Sequence, residues 1–278
     1  MRFGAHSQMF VHDIREDVDG VFDAIAGYGL SAIEIHTPDA ATFPLDEVRR
    51  AADRTGLTVV IGTALTADKS TISDDADIRQ RGISHLAGCI EIASVLGSTR
   101  VSGGIHSAHG GFRDRGRTEE EWDRSVSALR EVAPAAEAAG VVLTAEPVSR
   151  YSGYFLNTAD DASRLIDDVG SSNVQVQLDT WHMNIEEDDT PAAIRRVGKR
   201  LAHFHAVENN RGLPGTGQVP WHETFVALQE VGYDGLFVFE HFPIDLREMA
   251  VRTYTWRQIA SSAEVCERAP ALLEELAR

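Results

Sequence analysis

Short apolar runs rich in β-branched residues alternate with longer amphipathic segments from one end of the chain to the other. This alternation is typical of repeated strand–helix units around a parallel sheet. Eight runs are predicted as strands, at Arg2–Ala5, Ala32–His36, Thr58–Gly62, Arg100–Ser102, Val141–Glu146, Val174–Leu178, Ala202–Ala206 and Leu236–Glu240. Eight segments are predicted as helices, at Ile14–Gly27, Leu45–Thr55, Asp75–Leu96, Thr118–Ala139, Ala159–Val169, Pro191–Lys199, His222–Val231 and Leu246–Ala260.

The residues at the predicted helix ends fit these assignments. Thr158 and Thr190 are predicted N-caps, because a hydroxyl oxygen accepts a hydrogen bond from the first helical turn. Glycine readily adopts the left-handed conformation that ends many helices, and it follows three of the predicted helices, at Gly97, Gly140 and Gly170.

Eight strand–helix units without a Pro- or Ser-rich linker predict a single (β/α)8 TIM-barrel domain over residues 1–278. The alternative is a doubly wound open sheet, which needs fewer strands and usually has a Gly-rich first turn. No such turn follows the first predicted strand. The active site of a TIM barrel lies at the carboxyl ends of its strands, so the strand assignments also predict where site residues fall.

The charge of the chain excludes several classes of partner. Its 278 residues include 43 acidic and 26 basic side chains, for a formal net charge of -17 at pH 7. Such a protein is repelled by nucleic acids and anionic membranes unless it has a separate basic patch, and the sequence shows none. Only Lys69 and Lys199 are lysines, and acidic runs such as Glu119–Glu121 and Glu186–Asp189 are predicted to be solvated faces suited to a saline medium.

The two cysteines, Cys89 and Cys266, are far apart and belong to no Cys/His cluster. They predict neither a disulfide framework nor a thiolate metal site, which fits a reducing compartment. The first residues lack the basic and apolar regions of a signal peptide, and no apolar run reaches the roughly 18 residues of a membrane span. A cytoplasmic location is therefore expected.

Polar residues close four consecutive predicted strands, at Glu146, Asp179, His205 and Glu240. A lone carboxylate at such a position is as often a helix cap or a salt-bridge partner as a ligand. Four such residues at one barrel mouth are harder to explain structurally, because clustered carboxylates repel one another unless a cation lies among them. Three carboxylates and one imidazole without a thiolate predict a site for Mn²⁺, Mg²⁺ or Co²⁺.

Further polar residues follow the same strands. His182 is predicted to hydrogen-bond a substrate oxygen, with a capping histidine as the alternative. Arg211 is predicted to stabilise negative charge that develops on the substrate, with a surface salt bridge as the alternative. His6 and Glu34, at the ends of the first two strands, are predicted to line the substrate pocket; His36, His106 and His109 are weaker candidates for its wall.

Several motifs resemble the ketose 3-epimerases, the group of D-tagatose and D-psicose (allulose) 3-epimerases within the xylose isomerase-like barrels. They are LTAEPVSRY (143–151), FLNTADDA (155–162), LDTWHMNIEEDD (178–189), HFHAVENNRGLPGTGQVPW (203–221) and YDGLFVFEHF (233–242). The resemblance implies one divalent metal per subunit, usually manganese or cobalt, bound by Glu146, Asp179, His205 and Glu240. It also implies that Glu146 and Glu240 are the acid/base pair, that His182 and Arg211 contact the sugar, and that the protein is a homodimer or homotetramer.

One residue departs from that pattern. The family usually has a glutamate after the Arg-Tyr of the first motif, where it contacts the sugar near O1 and O2, but Ser152 stands here. An aldose–ketose, hydroxypyruvate or inosose isomerase using the same metal site is therefore the alternative reaction. Endonuclease IV-type repair enzymes share the barrel but need more histidines and a basic surface, and nothing in the sequence favours a non-catalytic sugar-binding barrel.

The substrate is predicted to be a small neutral sugar. A phosphate group would require a Gly-rich helix N-terminus or a Lys/Arg cluster near the last two strands. The only Gly-rich stretch there, residues 212–217, has Arg211 as its sole neighbouring cation.

Overall fold

The computed structural model describes residues 1–37 and 39–278. Within them, eight parallel strands pair in sequence order and form a closed barrel, since β1 also pairs with β8. The strands are β1 (Arg2–His6), β2 (Ala32–His36), β3 (Thr58–Ala64), β4 (Arg100–Gly104), β5 (Val142–Ala145), β6 (Val174–Asp179), β7 (Leu201–His205) and β8 (Leu236–Phe239). The predicted (β/α)8 TIM barrel is confirmed, although β5, β7 and β8 each end one residue earlier than predicted.

Helices connect the strands on the outside of the barrel. They are α1 (Val18–Gly27), α2 (Leu45–Thr55), α3 (Ala76–Val95), α4 (Glu119–Ala139), α5 (Ala159–Val169), α6 (Thr180–Glu186), α7 (Thr190–Val197), α8 (Trp221–Glu230), α9 (Arg247–Thr253) and α10 (Ser262–Leu276). The Thr158 side chain caps α5, and Gly140 and Gly170 end α4 and α5 in the left-handed conformation, as predicted. The N-cap prediction for Thr190 is wrong, because Asp189 accepts the capping hydrogen bond.

Two helix predictions need correction, and the helix α10 was not predicted. The predicted helix Ile14–Gly27 is a short 3-10 turn followed by α1, which starts after the Asp17 cap. The predicted last helix, Leu246–Ala260, is only the short α9, which ends where Tyr254 takes a left-handed conformation with φ 56°. The helix that packs against the barrel next to α8 is α10, whose apolar residues Val265, Ala269 and Leu273 are buried at four-residue spacing.

The inside of the barrel changes from apolar to polar along the strands. Ala32, Val60, Leu236 and Val238 form a small apolar cluster separate from the main core. Residues two apart on a strand point to the same face. The residues two positions after this cluster therefore also point into the barrel, closer to its opening at the carboxyl ends of the strands. Those positions include Glu34 and Glu240, two residues after Ala32 and Val238. The strands thus place polar groups above an apolar floor.

Two acidic runs are less exposed than predicted. The side chains of Glu121 and Glu186 are each only 6% exposed and pair with Arg115 and Arg150. Those two carboxylates are therefore structural ion-pair partners rather than part of a solvated face. None of the helices in the described residues is both long enough and apolar enough to cross a membrane.

Candidate active site

Four predicted ligands meet at the carboxyl ends of four neighbouring strands. Asp179 and His205 end β6 and β7 and are paired in register. Glu146 and Glu240 directly follow β5 and β8. The Nδ1 atom of His205 lies at the centre, with carboxylate oxygens 3.6 Å away in Asp179, 3.9 Å in Glu146 and 4.0 Å in Glu240.

The two oxygens of Asp179 have different surroundings. Oδ1 accepts hydrogen bonds from the amides of Trp181 (2.6 Å) and His182 (3.3 Å) and so caps α6. Oδ2 is buried and has no hydrogen-bond partner among the described residues. A buried carboxylate oxygen without a hydrogen-bond partner is costly, and Arg211, at 3.7 Å, lies beyond hydrogen-bond distance, so this atom favours a bound cation.

The α6 cap places His182 beside the same cluster. Its Nδ1 accepts a hydrogen bond of 2.8 Å from the Ser149 amide. Because that nitrogen is an acceptor, the proton of a neutral ring is on Nε2. His182 also has a possible ligand atom within 4.8 Å of those of Glu146 and Asp179. The ring can therefore donate to an oxygen in the cavity.

Arg211 is held in place from several sides. Its guanidinium lies between the rings of Trp181 (4.5 Å) and Phe242 (4.8 Å), and it forms an ion pair with Glu240. It is also 3.7 Å from Asp179 Oδ2. Its backbone is left-handed, with φ 57°, and its carbonyl accepts a hydrogen bond from His241. The surface salt bridge considered for Arg211 is thus wrong, because the ion pair is inside the site.

The two glutamates differ in their electrostatic surroundings. Burial raises the pKa of Glu146 to about 8, and the charges of Asp179 and Glu240 add to this effect. Burial also disfavours the charged form of Glu240, but the charges of Arg211, His6 and His205 together outweigh it and lower the pKa of that carboxyl. Pairs of carboxyls whose pKa values are pushed apart are typical of acid/base sites.

The residues present fit a divalent cation. Three carboxylates, those of Glu146, Asp179 and Glu240, lie within 4.0 Å of His205 Nδ1, and two of them, Asp179 and Glu240, also pair with Arg211. Two groups of side chains each offer possible ligand atoms that lie within 4.8 Å of one another. One group is Asp179, His205 and Glu240, and the other is Glu146, Asp179 and His182. The oxygen-rich donor set and the Asp179 Oδ2 atom, which accepts no hydrogen bond from the described residues, both favour a hard cation.

A cavity of about 890 Å³ opens above these groups. The other predicted pocket residues, His6, Glu34 and Ser152, all line it. The His6 ring is 6.3 Å from that of His205, whereas Glu34 accepts hydrogen bonds from two histidines inside the barrel. Ser152 belongs to a turn in which its amide donates to the Ser149 carbonyl at 2.7 Å.

The three weaker histidine candidates separate into two groups. His36 and His109 line the cavity. His106 is buried against Phe155, and its Nε2 donates to the backbone carbonyl of Glu146 at 2.8 Å. His106 therefore supports the strand end that carries Glu146.

Several residues of the site were missed at the sequence level. Trp181 and Phe242, which enclose Arg211, belong to two of the quoted motifs; Trp181 directly precedes His182, and Phe242 is two residues after Glu240. His203, a partner of Glu34, was signalled by its position two residues before His205, on the same strand face. Arg252 and Arg257 also line the cavity, so Arg211 is not the only cation near the last strands.

The chain is similar to known proteins over nearly its whole length. The family described as xylose isomerase-like TIM barrel matches residues 22–263. A D-psicose 3-epimerase of Ruminiclostridium cellulolyticum is 31% identical over 95% of this chain and 92% of the relative. An L-ribulose 3-epimerase of Mesorhizobium japonicum is 32% identical over 93% of this chain and 88% of the relative.

The fold is also similar to that of solved structures. A D-allulose 3-epimerase from Methylomonas sp., crystallised with D-allulose, superimposes with a TM-score of 0.93 at 25% identity. The match covers 99% of this chain and 96% of that one.

Proposed function

Because the chain belongs to the xylose isomerase-like TIM barrel family, and within it to the ketose 3-epimerases, we propose that it epimerises a free ketose at C3 with one bound divalent metal ion. Its relatives are epimerases, and the chain is an isomerase-class enzyme. The observation that carries the proposal is the convergence of Glu146 and Glu240 on His205 Nδ1.

Glu146, Asp179, His205 and Glu240 would hold the metal. We propose Mn²⁺, with Co²⁺ or Mg²⁺ as alternatives, because three of these four ligands are carboxylates and none is a cysteine. A bound divalent cation would supply a Lewis acid that makes the C–H bonds next to the ketose carbonyl more acidic.

Inversion at C3 requires proton transfer on both faces of the substrate, and we assign Glu146 and Glu240 to these transfers. One carboxylate takes the C3 proton, and the electron pair of the broken C–H bond passes into an enediolate. The other carboxyl, protonated at that moment, donates its proton to C3 from the opposite face. The proton is then on the first glutamate instead of the second, so exchange with solvent restores the starting state.

Other residues would bind and orient the sugar. The Nε2–H of His182 and the guanidinium of Arg211 are donors for substrate oxygens, and Arg211 is fixed between two rings. Donors that are already in place stabilise developing negative charge without reorganisation. His6 and Ser152 are proposed as wall contacts.

The substrate is proposed to be a small neutral sugar, as the names of the relatives suggest. The protein is proposed to be a homodimer or homotetramer, as the family resemblance of its motifs implies. The test begins with chelator-treated protein to which Mn²⁺ is restored. D-fructose, D-psicose, D-tagatose and L-ribulose are then incubated with it in D₂O. We expect C3 epimers and deuterium at C3 with at least one ketose, and no reaction before metal is restored. Absence of any C3 epimer would contradict the proposal.

Two other outcomes distinguish the alternatives. An aldose product with deuterium at C1 or C2 would indicate an aldose–ketose isomerase instead. A ketose phosphate belongs in the panel because Arg252 and Arg257 line the cavity. We expect the ketose phosphate to react more slowly than the free ketose. A faster reaction of the phosphate would contradict the proposal that the substrate is a neutral sugar.

A further inference from the structure

Glu34 lies inside the barrel, below the proposed metal ligands. Its Oε2 accepts hydrogen bonds from Nε2 of His203 at 2.7 Å and from Nε2 of His205 at 3.0 Å. The three side chains are at most 3% exposed. Glu34 thus occupies a fully buried place in which both donors are histidines of β7.

The contact with His205 determines which of its nitrogens can bind a metal. A neutral imidazole carries one N–H, and the other nitrogen has the lone pair. Since Nε2 faces the Glu34 carboxylate, the proton of His205 is held on that side. Its Nδ1 then presents the lone pair towards the oxygens of Asp179, Glu146 and Glu240.

The neighbouring strand leaves space for this arrangement. A Cβ atom at Gly62, on β3, would lie 2.8 Å from Oε1 and 3.1 Å from Cγ of Glu34. Any side chain at position 62 would therefore displace the glutamate. The glycine at position 62 is therefore a second observation, independent of the hydrogen bonds, that this part of the barrel has room for the Glu34 side chain.

We propose that Glu34 is a positioning residue that fixes the tautomer and the orientation of His205 for metal binding, rather than a contact to the sugar. His203 holds the Glu34 carboxylate from the other side. Carboxylates that accept the second N–H of a metal-binding histidine orient the ring and raise its basicity. The inference rests on the metal site of the proposed function and on no particular substrate.

A second metal ion between Glu34, His203 and His205 is the main alternative, because their possible ligand atoms lie within 4.8 Å of one another. The observed separations of 2.7 and 3.0 Å, however, are those of direct hydrogen bonds. The two arrangements differ in stoichiometry, which is one metal per chain under the proposal and two under the alternative.

The test compares Glu34→Gln and Gly62→Ala with the unaltered chain. The first removes the charge of the carboxylate, and the second displaces the carboxylate without removing it. Thr144→Val is the matched control, since Thr144 is a fully buried strand residue whose hydroxyl has no hydrogen-bond partner among the described residues. The affinity and stoichiometry of Co²⁺ are measured by calorimetry, together with the visible spectrum of the bound cobalt.

We expect one metal per chain, an affinity lowered roughly 10- to 100-fold in both test variants, and a shifted cobalt spectrum. The Thr144→Val variant should match the unaltered chain. At saturating Mn²⁺, the KM for an active ketose should stay unchanged in Glu34→Gln while kcat falls. If one test variant does not fold, the other decides the affinity comparison.

Three results would overturn the inference: unchanged metal affinity in the folded variants, two metals per unaltered chain, or a raised KM with unchanged affinity. The metal measurements need no sugar, so they also separate this inference from the proposed reaction. A chain that binds metal as expected but epimerises no ketose would contradict the reaction alone.

Discussion

Glu240 is expected to contribute little to the stability of the fold and much to turnover, because the charges around it partly cancel. Asp179 and Glu146 repel it, whereas Arg211 attracts it. We therefore expect Glu240→Gln to unfold at a temperature near that of the unaltered chain, since Arg211 still has Asp179 beside it. Turnover at saturating Mn²⁺ should fall by a factor of about 100 or more, because a proton-transfer group is lost.

The matched control for this prediction is Glu248→Gln on α9. The Glu248 side chain is 72% exposed, so its removal should change neither quantity. Thermal unfolding and initial epimerisation rates are the measurements. A rate in Glu240→Gln equal to that of the unaltered chain would remove Glu240 from the acid/base role.

The loop between β7 and α8 is organised around one buried carboxylate. Glu208 accepts hydrogen bonds from the amides of Gly215 (2.9 Å) and Val219 (3.1 Å), and from the Trp221 ring nitrogen (2.9 Å). The Arg211 amide donates to the Glu208 carbonyl at 2.8 Å, which links this carboxylate to the site. Sequence reasoning missed Glu208, although it lies within one of the quoted motifs.

We expect Glu208→Gln to lower the free energy of unfolding by about 2 kcal/mol, because hydrogen bonds to a buried charge become neutral ones. Displacement of Arg211 should raise the KM for the ketose more than it lowers kcat. Urea unfolding and steady-state kinetics measure the two effects. Glu223→Gln, an exposed change on α8, is the control; a stability loss as large in the control would contradict the assigned role.

The beginning of α4 depends on Glu121. This carboxylate accepts from the Thr118 amide at 2.9 Å and from the Tyr154 hydroxyl at 2.7 Å, and it pairs with both terminal nitrogens of Arg115. Burial opposes ionisation, but these donors outweigh it and lower the pKa of Glu121 to about 2.

A lowered pKa means that the stabilisation is complete above the ordinary value of about 4.5 and is lost as the pH falls towards 2. We expect Glu121→Gln to cost about 2 kcal/mol at pH 7 and less at pH 3. Denaturant unfolding at the two pH values tests this, with the exposed Glu131→Gln on the same helix as control. A cost that does not shrink at pH 3 would contradict the assignment.

The strand ends could be predicted because an inward-facing polar residue follows each apolar run. The closed barrel then brings the carboxyl ends of the strands together. Glu146 and Glu240 were found this way although the strands stop one residue before them. The α6 helix could not be found from an apolar stripe, because it has only seven residues and depends on the Asp179 cap. Missing α10 was an error of assignment, since its apolar spacing is visible in the sequence.

Contacts between residues that are far apart in the chain could not be predicted from the sequence. Glu34 was predicted as a pocket residue, and it does line the cavity, but its hydrogen bonds to His203 and His205 span 169 and 171 residues. Only closure of the barrel, through the pairing of β1 with β8, brings β2 near β7. In the same way, Glu186 was assigned to a solvated face because its partner Arg150 is 36 residues away. The partner of Glu121, Arg115, is only six residues away, and the wrong assignment of Glu121 is an oversight in the sequence analysis.

The net charge belongs to the molecule as a whole. Ion pairs such as that of Arg54 with Asp19 join neighbouring helices, but exposed pairs contribute only about 0–1 kcal/mol each. The chain has 43 acidic and 26 basic side chains, so even complete one-to-one pairing would leave a net charge of -17. Self-repulsion of this kind destabilises the compact state.

Salt should therefore stabilise the protein at neutral pH. The screening length falls from about 10 Å at 0.1 M to about 3 Å at 1 M, which weakens repulsion between the outer helices. We expect the unfolding temperature at pH 7 to rise with NaCl over this range. The same titration near the isoelectric point, about pH 5.0, is the control, because the net charge there is close to zero and the rise should be small. A decrease at pH 7 would mean that screened ion pairs matter more than the excess charge, and an equal rise at both pH values would identify a salt effect unrelated to charge.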